Sequence, residues 1–203
     1  MKNSFIPTED LKVSERIYKT KINGLFYIHS PAHKDERGFF SEIAIIDEIE
    51  KQIGTSFKIR QLNHTRSNTR VTRGMHAEDW NKLITVTSGI VFSALADVNP
   101  DSSTFLSVET FMLGVEENTL QGSLFISKGI ANSLCVIKGP VDYIYAVDKV
   151  YKERDKKGDM SISLFDTDLN IKWPIKREDM IISKRDKESI TLRERFPEYF
   201  LKR

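Results

Sequence analysis

The sequence predicts an all-β chain, an antiparallel sandwich or barrel with a few short helices. Three observations carry this. Apolar runs rich in Val, Ile, Phe and Thr recur at 24–28, 82–86, 90–96, 104–112, 123–126, 134–137 and 142–147, the lengths and residue types of strands. Turn residues punctuate them, most plainly Ser88-Gly89, Asn99-Pro100-Asp101 and Lys138-Gly139-Pro140. No amphipathic helix separates consecutive runs, which argues against βαβ units.

Taken in order, the N-terminal MKNSFIPTED is polar and carries no leader pattern. Residues 45–52 have apolar positions at 45, 46 and 49 and a stop at Gly54, and read as one short helix. The polar stretch 60–82 follows. Within it Gln61, Asn63, Thr65 and Ser67 alternate, so on a strand they share one face while Leu62 and His64 take the other. After the last strand, 148–160 is a charged stretch that reads as a solvated loop. Residues 188–195 read as a weaker helix bounded by Pro197.

Composition narrows the function. At 203 residues the chain is expected to be a single domain, 1–203, large enough to need no metal or disulfide staple. Lys+Arg 31 against Asp+Glu 29 leaves a formal charge of +2, which disfavours a general nucleic-acid or anionic-membrane binder. The one cysteine, Cys135, excludes an internal disulfide framework. No apolar run is long enough to span a bilayer, so a soluble, cytoplasmic protein is expected. No histidine follows His76, so no metal centre of the His-rich kind is expected.

Arg60, Arg66, Arg70 and Arg73 with Lys82 make a cationic cluster suited to phosphate. Beside the polar face of 61–67 this suggests a site for a phosphorylated, hydroxyl-rich ligand; a solvated edge is the competing reading. Gly74 before His76 permits a close backbone approach or an unusual φ/ψ.

In order along the chain stand Asp35-Glu36-Arg37-Gly38-Phe39-Phe40-x-Glu42, Gln61-x-Asn63-x-Thr65-x-Ser67, Arg73-Gly74-Met75-His76 and Lys82-Leu83. Asp101-Ser102-Ser103-Thr104-Phe105, Tyr145 with Tyr151, 166–174 and Ser183-Lys184-x-Asp186 follow. This series resembles the dTDP-4-dehydrorhamnose 3,5-epimerase family over roughly residues 22–190. The resemblance implies a cupin-type antiparallel jelly roll or β-barrel that works without a metal or other cofactor, usually as a homodimer. It implies a nucleotide-diphosphate sugar as the partner, and epimerisation beside the ketone of a 4-keto-6-deoxy sugar in surface polysaccharide biosynthesis.

Such chemistry needs a base, an enolate stabiliser and an acid on the opposite face. By matching position, His76 is implied as the base, Asp166 as its orienting carboxylate, Tyr145 as the acid and Lys82 as the group at the oxyanion. Asn63 would add a neutral donor, Arg37 and Arg73 would meet the diphosphate, and Glu42 and Gln61 would hold sugar or nucleotide. Asn132 stands where the family commonly has a second histidine, and Tyr151 is retained.

The chain departs from the family in a shortened connection between His76 and Lys82, where Trp80 supplies a flat surface for a nucleobase or a packing plug. In that respect it is similar to relatives that process GDP-linked 6-deoxy-heptoses. Other readings on this scaffold are a keto-isomerase that moves the carbonyl between C3 and C4, and a non-catalytic nucleotide-sugar-binding cupin.

Overall fold

The computed structural model describes residues 4–153 and 159–201. Part of the charged stretch 148–160, namely 154–158, therefore lies outside the described residues, as do residues 1–3. The strands are β1 (Ile17–Lys19), β2 (Leu25–His29), β3 (His33–Asp35), β4 (Gly38–Phe40), β5 (Gln61–Ser67), β6 (Val71–Ala77), β7 (Lys82–Asp97), β8 (Val108–Gly114), β9 (Gly122–Ile126), β10 (Ile130–Val147), β11 (Met160–Ser161) and β12 (Ile181–Ile182). The helices are α1 (Ile46–Ile53), α2 (Lys184–Lys187), α3 (Leu192–Arg195) and α4 (Pro197–Phe200).

Two long strands organise the fold. The first part of β7 pairs with β9 and with the last part of β10, and β10 there also pairs with β5. Beyond Ser88 the same two strands continue as a second sheet, β7 now pairing with β8 and β10 with β6. The result is a jelly roll of two antiparallel sheets that share β7 and β10.

This corrects two expected turns. Ser88-Gly89 and 138–140 are corners inside continuous strands, not chain reversals. Their flexibility serves the bend: Gly89 has φ +73, and the β7–β10 register shifts around Lys138 and Asp142. The run 104–112 begins its strand only at Val108, because Asp97 Oδ2 accepts hydrogen bonds from Ser102 and Thr104 and folds that segment into a turn.

Side-chain alternation sorts the layers. Tyr27, Ile84, Leu95, Phe111, Leu124 and Val136 fill the space between the sheets. Their neighbours Ile28, Leu83 and Phe125 point outward and are covered by Ile49 of α1 and by Phe57. Helix α1 ends where Gly54 takes φ +68 and its N–H returns to Glu50 O at 2.9 Å. The C-terminal segment covers the outer face of β6, packing Ile162, Leu164, Leu169 and Leu192 on Met75 and Ala77. Instead of one helix at 188–195, this segment forms α2, α3 and α4. A capping box at Thr191 starts α3, and Pro197 sits in the first turn of α4, where its missing N–H costs nothing. No helix among the described residues is long and apolar enough to cross a membrane.

Candidate active site

At one end of the interior a cavity of about 320 Å³ opens between the two sheets. Strand β6 contributes His76, because Met75 and Ala77 face the C-terminal cover and the residue between them faces inward. Strand β7 contributes Lys82, and β10 contributes Asn132, Tyr143 and Tyr145. Strand β5 contributes Gln61, Asn63 and Thr65, with Leu62 and His64 outside as the alternation requires. Gly74 has φ +119, and a Cβ there would lie 2.8 Å from Asn132 O and 2.6 Å from Ser133 Cβ. Only glycine lets β6 press this close to β10 beside the histidine.

The His76 ring bonds through Nε2 to Asp186 Oδ1 at 2.7 Å. Asp186 is 6% exposed and is fixed by α2, whose N-cap Ser183 accepts its N–H. Burial alone would raise the Asp186 carboxyl; the hydrogen bond and charge of His76, the Gly74 N–H and Ser183 outweigh it and hold the group below the usual carboxylate value. With Asp186 accepting at Nε2, Nδ1 is the ring nitrogen left to take a proton.

The expected partner of His76, Asp166, is a correction. It is buried, but its Oδ1 accepts the N–H groups of Asp168 and Leu169 at 2.9 and 3.1 Å, and its Oδ2 accepts Leu192 N–H at 2.7 Å. Asp166 therefore ties the start of α3 to the preceding loop and does not orient the histidine. Asp186 stood in the sequence series as Ser183-Lys184-x-Asp186 with no role implied for it, and nothing in that run says which strand it lies beside.

Lys82 is held on two sides: it donates to Glu78 Oε2 and, at 2.9 Å, to Asn132 Oδ1. Its ammonium lies 5.6 Å from the Tyr145 ring centroid. Asn132 donates through Nδ2 to the Tyr143 hydroxyl at 3.3 Å. Burial, with Tyr145 nearby, pushes the Tyr143 phenol far above its ordinary value, so it stays protonated. Glu78 and Tyr143 are site residues that the sequence reading did not find.

On the β5 wall, Gln61 Nε2 donates to Asn63 Oδ1 at 2.6 Å, and Gln61 Oε1 accepts Tyr151 N–H at 2.8 Å. Asn63 Nδ2 and Thr65 Oγ1 are buried with no hydrogen-bond partner among the described residues. An unpartnered buried donor costs about 1–3 kcal/mol, so both mark this wall for a polar ligand. Arg73 lines the rim, its Nε donating to Ser67 Oγ at 3.1 Å. Trp80 is 4% exposed and its ring centroid is 6.5 Å from that of Tyr151. It packs as wall, and Tyr151, half exposed, presents the open aromatic face.

Arg37 and Glu42 are not brought to this cavity. Arg37 lies in the β3–β4 hairpin and pairs with Asp35, lowering that carboxyl. Glu42 follows the hairpin and lies 3.5 Å from Arg16. The hairpin forms its own two-stranded sheet with Phe39 and Phe40 exposed.

A family model described as dTDP-4-dehydrorhamnose 3,5-epimerase matches residues 19–194. The enzyme of that name from Shigella flexneri is 28% identical over 174 residues, covering 84% of this chain and 92% of that protein. The crystal structure of dTDP-6-deoxy-D-glucose-3,5-epimerase from Legionella pneumophila, in complex with dTDP-4-keto-L-rhamnose, superposes with a TM-score of 0.79 at 28% identity, covering 90% of this chain and 95% of that one. The 4-keto-6-deoxy sugar epimerase NovW of Streptomyces spheroides shares the fold with a TM-score of 0.80 at 24% identity, covering 97% of this chain and 95% of that one.

Proposed function

The chain belongs to the dTDP-4-dehydrorhamnose 3,5-epimerase family, and from that premise we propose that it inverts C3, C5 or both in a nucleotide-linked 4-keto-6-deoxy sugar. The observation that carries the reading is the His76–Asp186 pair opening into the same cavity as Lys82 and Tyr145. His76 Nδ1 takes the proton from the carbon beside the ketone, and the C–H electron pair moves onto the carbonyl oxygen as an enolate. Lys82 donates to that oxygen, where charge develops. Asp186, already ionised, stabilises the imidazolium so formed. Tyr145, on the sheet facing β6, returns a proton from its phenol to the opposite face of the carbon. Exchange with water then reprotonates the tyrosinate and discharges the imidazolium, so the cycle closes without net change in protons.

The free donors Asn63 Nδ2 and Thr65 Oγ1 suit sugar hydroxyls or phosphate oxygens, and Arg73 at the rim suits the diphosphate. The Legionella relative carries a dTDP-sugar, which makes thymidine diphosphate the first nucleotide to try, a GDP-linked heptose the second. We place the protein as a homodimer in which the exposed hairpin brings Arg37 and Glu42 to a second copy's cavity. A surface-polysaccharide pathway would use such a product.

Incubation with dTDP-, GDP- and CDP-linked 4-keto-6-deoxy sugars in deuterated water, read by NMR, tests the reading. Deuterium should enter at C3, C5 or both, with inversion. Tyr145→Phe keeps the ring but loses the phenol, and should lower inversion by about 10²–10⁴-fold while exchange through His76 partly persists. No deuterium uptake with any substrate would leave only a binding role, and inversion by Tyr145→Phe at the parent rate would move the acid elsewhere.

A further inference from the structure

We infer that Glu78 is a positioning residue for Lys82, a role that rests on the epimerase reading and deepens it. The shortened connection between β6 and β7 creates the contact. It turns so tightly that Trp80 N–H bonds to Glu78 O at 2.9 Å, which puts the Glu78 carboxylate on the ammonium four residues later. Both groups are largely buried, the Lys82 side chain at 9% exposed and that of Glu78 at 15%.

The connection is pinned from outside. Asp79 is ion-paired with Lys128 and Lys149, and Asn81 is bonded to Asp148 through Nδ2 at 2.8 Å and through its N–H at 3.0 Å. Lys128 N–H also donates to Asn81 Oδ1 at 3.0 Å. Glu78 is thus presented by a turn fixed at Asp79 and Asn81.

An ammonium has three N–H donors. Among the described residues Glu78 takes one and Asn132 Oδ1 takes another. One N–H remains, and its direction is set by the two already used. The acceptors compensate the burial of the lysine charge, and they leave the last donor for the cavity that Lys82 lines. Glu78 thus acts on the reaction through Lys82, by fixing where the enolate oxygen finds its proton donor. Asn132 forms the other half of the clamp, an amide oxygen at the position where the family commonly has a histidine.

A double-mutant cycle tests this, with turnover read as deuterium uptake and inversion by the wild-type protein's best substrate. Glu78→Gln keeps the shape and one acceptor but loses the charge and the grip. It should lower kcat by about 10²-fold, the effect of misplacing a catalytic group by an ångström, with KM nearly unchanged; because the buried ammonium also loses its counter-charge, rates are taken per folded molecule. In a Lys82→Gln background, itself slow, the same substitution should cost nothing further, and this comparison stands even if Glu78→Gln alone folds poorly. Equal losses in both backgrounds, or a raised KM with kcat intact, would mean that Glu78 meets the substrate directly and would overturn the proposal. A wild-type protein that takes up no deuterium would instead remove the epimerase reading, and the role of Glu78 with it.

Discussion

Asp166 and Asp186 are both buried acids in the C-terminal third of the chain, yet only Asp186 lines the cavity. Among the described residues the Asp166 carboxylate accepts only backbone N–H groups, those of 168, 169 and 192. Asp186 meets the ring of His76. Asp186→Asn should therefore cut turnover by more than its loss of folded protein explains, since the amide still accepts from the ring but cannot stabilise an imidazolium. Asp166→Asn should do the reverse, because an amide replaces one charge-assisted acceptor, and its signature is a fall in melting temperature by several degrees for about 1–2 kcal/mol lost. The sign of the pH effect follows from the lowered Asp186 carboxyl. The folded state binds fewer protons than the unfolded one, so this contribution is present above the unfolded value near about 3.9 and fades as pH falls through the folded one. Acid unfolding of Asp186→Asn should accordingly be shallower than that of the parent below about pH 4. Equal acid slopes would detach Asp186 from the charge balance of the site.

At the scale of elements, legibility tracked how local the cause is. The alternation of 61–67 is written in the residues themselves, and β5 shows it: Gln61, Asn63 and Thr65 on the cavity, Leu62 and His64 outside. Helix α1 and its Gly54 stop are equally local. The corners at Gly89 and 138–140 are not, because a glycine that bends a strand between two sheets and one that reverses a chain look alike in sequence. The pairing of His76 with Asp186 was hidden for a stronger reason. Strand β12 joins β6 in parallel, Ile181 beside Val71 and Ile182 beside Thr72, and no local pattern announces a contact across 110 residues. Gly74 sits where the two scales meet. Gly74→Ala would place a Cβ against Asn132 O and Ser133 Cβ in a backbone conformation with φ +119, strain of about 1–3 kcal/mol before any clash is counted. Its melting temperature should fall, and the bond between His76 and Asp186 should loosen, visible as a turnover loss larger than the loss of folded protein explains. An alanine variant with parent stability and rate would show that β6 can retreat from β10 without consequence.

At the scale of the molecule, the hairpin is the part that leaves large apolar side chains exposed. Phe39 and Phe40 are 61% and 66% exposed, and they border a cavity of about 340 Å³ with Ile43, Val86 and Val115. Among the described residues Arg37 on the same hairpin is engaged only with Asp35, and it lies outside the lining of the His76 cavity. A second copy related by two-fold symmetry would bury this surface and be served by it in return. If each hairpin completes its partner's site, two different inactive variants can repair one another. Arg37→Ala keeps His76 but lends a defective hairpin; His76→Asn lacks the base but lends an intact one. Unfolded together and refolded as a mixture, they form some mixed dimers in which one site has both its own His76 and the partner's Arg37, and turnover should reappear above the sum of the separate variants. Sedimentation should also show Phe39→Ser with Phe40→Ser shifted toward monomer. Mixtures that stay as inactive as their parts, with Arg37→Ala itself impaired, would mean that the arginine serves its own chain, and the hairpin would then have to fold back onto the cavity that bore it.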